Sequence, residues 1–378
     1  MMDFGLSPEQ DALQQSARDF LTRECPPALV RDAATSDDGI PRDLYRKMAE
    51  QGWLGVIVPE KHGGIGLGTL DLVLLLEELG RVAAPGPFLP TQLVIAALLA
   101  GGTAAQRKAW LPRLMSGEAF ASLAHLEDSD RLDPAGTQLR AKKVRGGFTL
   151  SGTKLHVADA PGVDVLLVPA RTKAGSGPEG ISLFLVERQA KGVRVQGHDH
   201  FDITRRRGVL TLRDVVVPVD ALVGGEGKGW PLLSRLLDLG AIGIAADALG
   251  GSQKVLEMAV EYSRVREQFG RQIGSFQALK HIAAEMVADV EPSRSLVWYA
   301  AYAYDARPRE SARAAAMAKA LLGDVYSRTA RRAVEIHGGI GFTWEFDLHL
   351  WFKRAHADEG AFGDPNFQRE RVAALSGW

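Results

Sequence analysis

Between Ser7 and about Gly117, apolar residues recur every three or four positions, the spacing that gives a helix one buried face. Ser7-Pro8-Glu9-Gln10 reads as an N-cap with proline at the first helical position, and Leu13, Ala17, Phe20 and Leu21 continue the stripe. The same spacing predicts helices over residues 44–51, 70–79, 91–100 and 104–114, with breaks at Gly52, at Gly63-Gly64-Ile65-Gly66, at Pro85-Gly86-Pro87 and at Gly101-Gly102. From about Glu118 to Val223 the texture changes. Residues 148–152, 163–168, 181–186, 193–195 and 209–217 are short β-branched or alternating runs between glycine-rich turns, which predicts a sheet. After Gly224-Gly225-Glu226-Gly227 the helical spacing returns over 230–264, 276–305 and 309–337 and in a last segment near the C-terminus.

The pattern divides the chain into an α-helical domain over residues 1–117, a β domain over 118–223 and an α-helical bundle over 224–378. A chain of 378 residues exceeds what one hydrophobic core usually serves, which agrees with several units. Residues 171–180 read as a mobile surface hairpin, and Trp344 and Trp351, at helical spacing, are expected to pack the last helix. Lys plus Arg (45) nearly cancels Asp plus Glu (46), so neither nucleic acid nor a membrane surface is the expected partner. The lone cysteine, Cys25, excludes an internal disulfide framework. The start, Met1-Met2-Asp3-Phe4-Gly5, shows no secretory signal, and the longest apolar run, 93–100, is too short to span a bilayer. A reducing cytoplasm is the expected compartment. His125, His156, His281 and His337 share no ligand spacing, so no metal site is expected.

The candidate chemistry lies in two glycine-marked stretches near the C-terminus. They are Tyr262-Ser263-Arg264-Val265-Arg266-Glu267-Gln268-Phe269-Gly270-Arg271-Gln272-Ile273-Gly274-Ser275-Phe276-Gln277 and Glu335-Ile336-His337-Gly338-Gly339-Ile340-Gly341-Phe342. In the first, a helical pattern stops at Gly270, turns through Ile273 and Gly274 and restarts at Gln277, so Arg266, Phe269 and Gln277 can converge at one helix junction. An arginine fork, an aromatic face and an amide suit a pyrophosphate with an attached adenine. In the second, the glycines let a backbone approach a ligand closely. Together the stretches resemble the FAD-binding signature of the acyl-CoA dehydrogenase family, and the likeness extends over essentially the whole chain.

The resemblance implies a multi-domain α+β fold: an N-terminal helical domain, a central β-barrel-like domain and a C-terminal four-helix bundle. It implies FAD as cofactor and an acyl-CoA thioester as substrate. In this family a carboxylate removes the α proton while hydride leaves the β carbon for flavin N5, giving the 2-enoyl-CoA. It further implies that Arg266, Phe269, Gln277, Gly338 and Gly339 grip the adenine end of FAD across a subunit boundary. Glu335 stands beside them where the family usually has glutamine.

The base is not where the family keeps it. Aligned through Gly363, Gln368 and Arg369, the usual glutamate position holds Phe362, and the alternative position on the first bundle helix holds Gly240. Asp247, seven residues beyond Gly240 on the same helical face and among small apolar neighbours, is the candidate base, with a pKa expected to be raised by desolvation. The competing reading of Asp247 is a buried aspartate paired with an arginine of a neighbouring helix or subunit. Glu359, followed by Gly360, is the backup if the last segment shifts register. On the flavin-ring side the family's Thr-Glu-Pro loop is replaced by Leu126-Glu127-Asp128, and its Trp-Ile-Thr or Trp-Ile-Ser by His156-Val157-Ala158. Leu126, Leu132, His156 and Ala158 therefore stand where hydroxyl and indole donors face the ring.

Three readings follow from the resemblance. The first is an FAD-dependent acyl-CoA dehydrogenase of lipid β-oxidation, a homotetramer passing electrons to an electron-transfer flavoprotein. The second is the flavin-poor subunit of a heterotetramer whose partner holds the flavin ring and the base. The third is a flavoenzyme on the same fold that uses dioxygen.

Overall fold

The computed structural model describes residues 5–378; of the start that shows no secretory signal, residues 1 to 4 lie outside the described residues. The N-terminal unit holds α1 (Pro8–Glu24), α2 (Pro27–Thr35), α3 (Arg42–Glu50), α4 (Thr69–Arg81), α5 (Phe88–Gly101) and α6 (Ala104–Met115). The Ser7 cap forms as expected. Gln10 N donates to Ser7 Oγ at 3.3 Å and Ser7 N donates to the Gln10 side chain at 3.1 Å, which satisfies two amides that the first helical turn leaves free. The spacing rule passed over α2, a nine-residue helix opened by Pro27 that buries only Val30 and Ala33.

The sheet consists of β1 (Ala121–Leu123), β2 (Arg140–Val144), β3 (Gly147–Ala158), β4 (Val165–Arg171), β5 (Ile181–Glu187), β6 (Val193–His198), β7 (Arg207–Pro218) and β8 (Leu222–Val223). Its order is β6-β7-β3-β2-β4-β5-β8, with β1 running parallel to β4. The basic strand β2, exposed at Arg140 and Lys142, is held in place by antiparallel pairing with β3 rather than by a hydrophobic pattern of its own. The expected mobile hairpin at 171–180 is anchored instead. Buried Arg171 donates from Nε to the Thr137 carbonyl at 2.5 Å and from Nη1 to that of Gly177 at 3.0 Å.

The C-terminal unit contains α7 (Trp230–Val265), a two-residue hairpin of β9 (Glu267–Gln268) and β10 (Arg271–Gln272), α8 (Gln277–Ala306), α9 (Pro308–His337), α10 (Leu348–Gly360) and α11 (Pro365–Leu375). A helical domain, a sheet domain and a helical bundle thus follow one another as the pattern implied. Among the described residues no helix is long and apolar enough to cross a membrane. Trp351 on α10 is buried and donates from Nε1 to the Gly80 carbonyl at 3.1 Å, whereas Trp344 precedes the helix and stays exposed beneath Lys353. Both tryptophans expected to pack the last helix meet α10, the last helix but one: Trp351 from its buried face and Trp344 from outside, edge-on to His349 with centroids 4.7 Å apart.

Helix α7 runs through the middle of the molecule, buried almost continuously from Leu236 to Ser252. Its approach to α4 is close enough to require glycine on both sides. A Cβ on Gly250 would lie 1.8 Å from the Glu77 carbonyl oxygen, and one on Gly80 would lie 2.1 Å from that of Asp247. Backbone cannot yield as a flexible side chain can, so the contact sets the spacing of the helices that flank the cavity described below. Gly250→Ala is therefore expected to destabilise the protein by about 1–3 kcal/mol despite alanine's better helix propensity. A fall in thermal midpoint without loss of helical circular dichroism at low temperature checks this; an unchanged or raised midpoint contradicts it.

Candidate active site

A cavity of about 90 Å³ lies where α4, α5, β1, β3, the start of β7, α7 and the α10–α11 turn meet. One wall is apolar, formed by Leu76, Leu79, Leu89, Leu93 and Ile244. The other carries Arg205, Arg207, Arg354, Asp159, Asp247 and His125.

Asp247 faces this cavity, but its carboxylate is engaged. Arg354 on α10 donates to it from Nε at 2.8 Å and from Nη2 at 2.6 Å, and Arg205 lies within 2.8 Å on another side. Arg354 also donates to the Ala84 carbonyl at 2.9 Å and to Thr204 Oγ1 at 3.0 Å. Burial alone would raise the Asp247 pKa, but the charges of Arg205 and Arg354 outweigh it and hold the group well below the usual carboxylate range. The raised pKa expected from the sequence is thereby corrected in favour of the competing reading, an aspartate paired with arginine; the small apolar neighbours along α7 did not show which guanidinium groups would arrive. A carboxylate so held is a weak proton acceptor. Asp358, beside it and 2.5 Å from Arg205 Nη1, is the group that burial pushes up, to about 8.

Gly240 and Phe362, the positions where the resemblance places a base, meet in space. A Cβ on Gly240 would lie 2.3 Å from Cε1 of Phe362, so the phenyl ring fills the volume that a longer residue at 240 would need. Phe362 has the left-handed φ of +53° and stacks on His125 with centroids 5.2 Å apart. Its turn is clamped from below. Lys319 Nζ donates to the carbonyls of Glu359 at 2.9 Å and Gly363 at 3.0 Å, and Gln368 donates to that of Phe362 at 2.6 Å. Glu359, the backup base, does not line the cavity; its carboxylate accepts from Ser327 Oγ at 3.1 Å and lies 3.6 Å from His356.

Leu126, His156 and Ala158 do line the cavity, while Leu132 packs against the core outside it. His156 sits at a β-bulge in β3 with φ +51°, its ring edge-on to His198 at 5.5 Å. The neighbouring Glu127 is committed to structure, accepting from Lys154 Nζ at 2.6 Å and from the Gln138 and Leu139 amides. Leu126 and Ala158 offer no side-chain donor here, and the Leu126 carbonyl already accepts from Leu155 N at 2.9 Å. As a seat for an isoalloxazine ring this wall fits poorly.

The adenine-side residues form a different surface. Tyr262 near the end of α7 stacks on His337 at the end of α9, with centroids 4.4 Å apart, and this brings the two glycine-marked stretches to one end of the bundle. Arg266, Phe269, Gln277, Glu335, Gly338 and Gly339 are all exposed there. Arg266 forms no ion pair among the described residues, and Phe269, at φ +55°, is 91% exposed and edge-on to Phe276. Gly338 has φ +68°, and a Cβ on Gly338 or Gly339 would meet nothing within 4 Å. An unpaired guanidinium beside open backbone fits a pyrophosphate.

The sequence reading missed Arg205, Arg207, Arg354, Asp358 and Lys319. The run Arg205-Arg206-Arg207 before a strand was a visible signal; the pairing of Asp247 with Arg354, 107 residues away on a neighbouring helix, is the competing reading of Asp247, for which the sequence singled out no particular arginine. Among the described residues no group of His, Cys, Asp and Glu is arranged to hold a metal ion.

The sequence of domains has counterparts among known proteins. Family models for the acyl-CoA dehydrogenase N-terminal, middle and C-terminal domains match residues 7–118, 123–206 and 227–376. An acyl-CoA dehydrogenase of Bacillus subtilis (strain 168) is 30% identical over 371 residues, covering 96% of each chain. Butyryl-CoA dehydrogenase from Megasphaera elsdenii superposes with a TM-score of 0.92 at 29% identity, covering 100% of both chains. A chain of the ChsE4-ChsE5 complex from Mycobacterium tuberculosis gives 0.91 at 28% identity, covering 100% of this chain and 99% of that one. Matched in order from its capped first helix to its last, and folded as a sheet domain between two helical ones, the chain belongs to the acyl-CoA dehydrogenase family of oxidoreductases.

Proposed function

We propose that this chain serves FAD-dependent α,β-dehydrogenation of an acyl-CoA thioester as one subunit of a mixed tetramer. In this reading it lends adenine-side contacts to a related partner that supplies the base and the ring seat. The observation that carries it is the Phe362 ring packed into the space over Gly240, with no carboxylate at either position and Asp247 held by two arginines. A proton α to a thioester needs an unencumbered base within reach. The exposed bundle end supports the other half, since Arg266 and the open Gly338-Gly339 backbone have a ligand's chemistry and no occupant from their own chain. When bound, FAD supplies the hydride acceptor; Arg266, Gln277 and Gly339 of this chain would hold its pyrophosphate and adenine. Relatedness to a chain from a complex of two differently named proteins agrees with a mixed assembly. An electron-transfer flavoprotein is the proposed electron acceptor and the cytoplasm the proposed compartment, with Cys25 reduced and buried.

Flavin counted per protomer in the native assembly tests this reading. About one FAD for every two protomers is expected of two working sites in a mixed tetramer. A homotetramer with one FAD per chain that oxidises acyl-CoA unaided contradicts it.

Two substitutions separate binding from structure. Arg266→Ala is expected to lower the assembly's flavin content while leaving the thermal midpoint of the flavin-free protein nearly unchanged; equal losses would make Arg266 a structural residue. Asp247→Asn is expected to cost about 3–5 kcal/mol of stability, because Arg354 and Arg205 lose their shared countercharge in a buried setting. A stable Asp247→Asn protein whose flavin reduction is slowed by about 10²-fold or more would instead restore Asp247 as the base.

A further inference from the structure

The cavity's polar wall contains a cation that the dehydrogenase reading leaves unused. Arg207 opens β7 opposite Ala158 on β3 and faces the cavity from that pairing. Among the described residues its guanidinium forms no ion pair and makes one long hydrogen bond, from Nη2 to the Ala357 carbonyl at 3.4 Å. Burial pulls its pKa below the ordinary arginine value. Nearby, both ring nitrogens of His125 and the hydroxyl of Ser122 are buried without hydrogen-bond partners. Burial brings the His125 pKa down to about 4, so near pH 7 the ring is neutral and offers one N–H donor and one acceptor.

On the cavity lining itself, cationic side chains outnumber carboxylates. Arg205, Arg206, Arg207 and Arg354 line it with Asp159 and Asp247, while Asp202 and Asp358, which also act on Arg207, lie outside the lining and beyond ion-pair distance of it. A largely desolvated guanidinium with no carboxylate at ion-pair distance and an imidazole whose buried nitrogens lack hydrogen-bond partners are both costly, and one ligand would satisfy them together. A thioester carbonyl is neutral and gives Arg207 no ion-pair partner. A carboxylate supplies the charge and accepts charge-assisted hydrogen bonds.

We infer that this cavity binds a short aliphatic carboxylate, its carboxylate held by Arg207 and His125 and its tail against Leu76, Leu89, Leu93 and Ile244. The volume of about 90 Å³ limits the tail to a few carbons, since a cavity of roughly 150 Å³ is what receives a benzene ring. The inference goes beyond the assembly proposed above and does not depend on it: binding is read at Arg207 of this chain, whichever subunit carries the base.

Calorimetric titration of the purified native assembly with butyrate and with butyramide, its neutral counterpart, tests the site. Butyrate is expected to bind saturably, and butyramide at least about tenfold more weakly, a preference that Arg207→Gln erases. Absence of butyrate binding, equal affinity for the two compounds, or the same preference in Arg207→Gln overturns the inference. His125→Phe keeps an aromatic ring against Phe362 and provides a second probe should Arg207→Gln fold badly. Its butyrate affinity is expected to fall while its thermal midpoint holds, and unchanged affinity counts against the site. Displacement of butyrate by chloride at equal concentration would mark a general anion pocket and also overturn it.

Discussion

The ion pair between Asp247 and Arg354 holds the centre of the molecule together. Asp247 belongs to α7 and Arg354 to α10, and through its remaining nitrogen Arg354 also binds Ala84, after α4, and Thr204, in the loop before β7. Arg205 from that loop closes the network by pairing with both Asp247 and Asp358. All three domains are therefore tied at one buried point. Burying these charges is expensive, and the geometry compensates by giving each guanidinium several acceptors. Removing one member leaves the others charged in a medium that cannot solvate them.

The network also determines what the cavity can do. Asp247 is the α7 carboxylate that lines the cavity, and its engagement keeps it ionised and poorly basic. Phe362, clamped in its turn by Lys319 and Gln368, closes over Gly240. The same turn presents the phenyl ring to His125, whose neutral imidazole forms part of the cavity wall. The bundle end carrying Arg266 and Gly338 remains open. The cavity side of the chain is thus closed, while the bundle end leaves Arg266 exposed beside the open backbone of Gly338 and Gly339.

Elements with a regular apolar rhythm could be read from the sequence. The 36-residue α7 was expected over 230–264, and its residues 236–252 are buried as a continuous core helix should be. Strand β2 and helix α2 were not legible, because Arg140 to Val144 take their conformation from pairing with β3 and α2 buries too few residues to show a stripe. At the candidate site, local motifs marked Arg266, Phe269 and the Gly338-Gly339 turn, since a glycine needing positive φ or open space leaves its mark at its own position. The environment of Asp247 left no such mark. A pKa is a property of neighbours in space, and the neighbours that decide this one come from the loop before β7 and from α10.

The central claim is that this chain holds the adenine side of a flavin whose ring lies on another polypeptide. A structure of the native assembly determined with its flavin bound tests it most directly. The account expects the pyrophosphate against Arg266 and Gly339 of this chain, the ring against a non-identical partner, and Phe362 still over Gly240. A flavin ring seated on His156 and Ala158 of this chain, with Phe362 displaced from Gly240 and Asp247 released from Arg354, would contradict it.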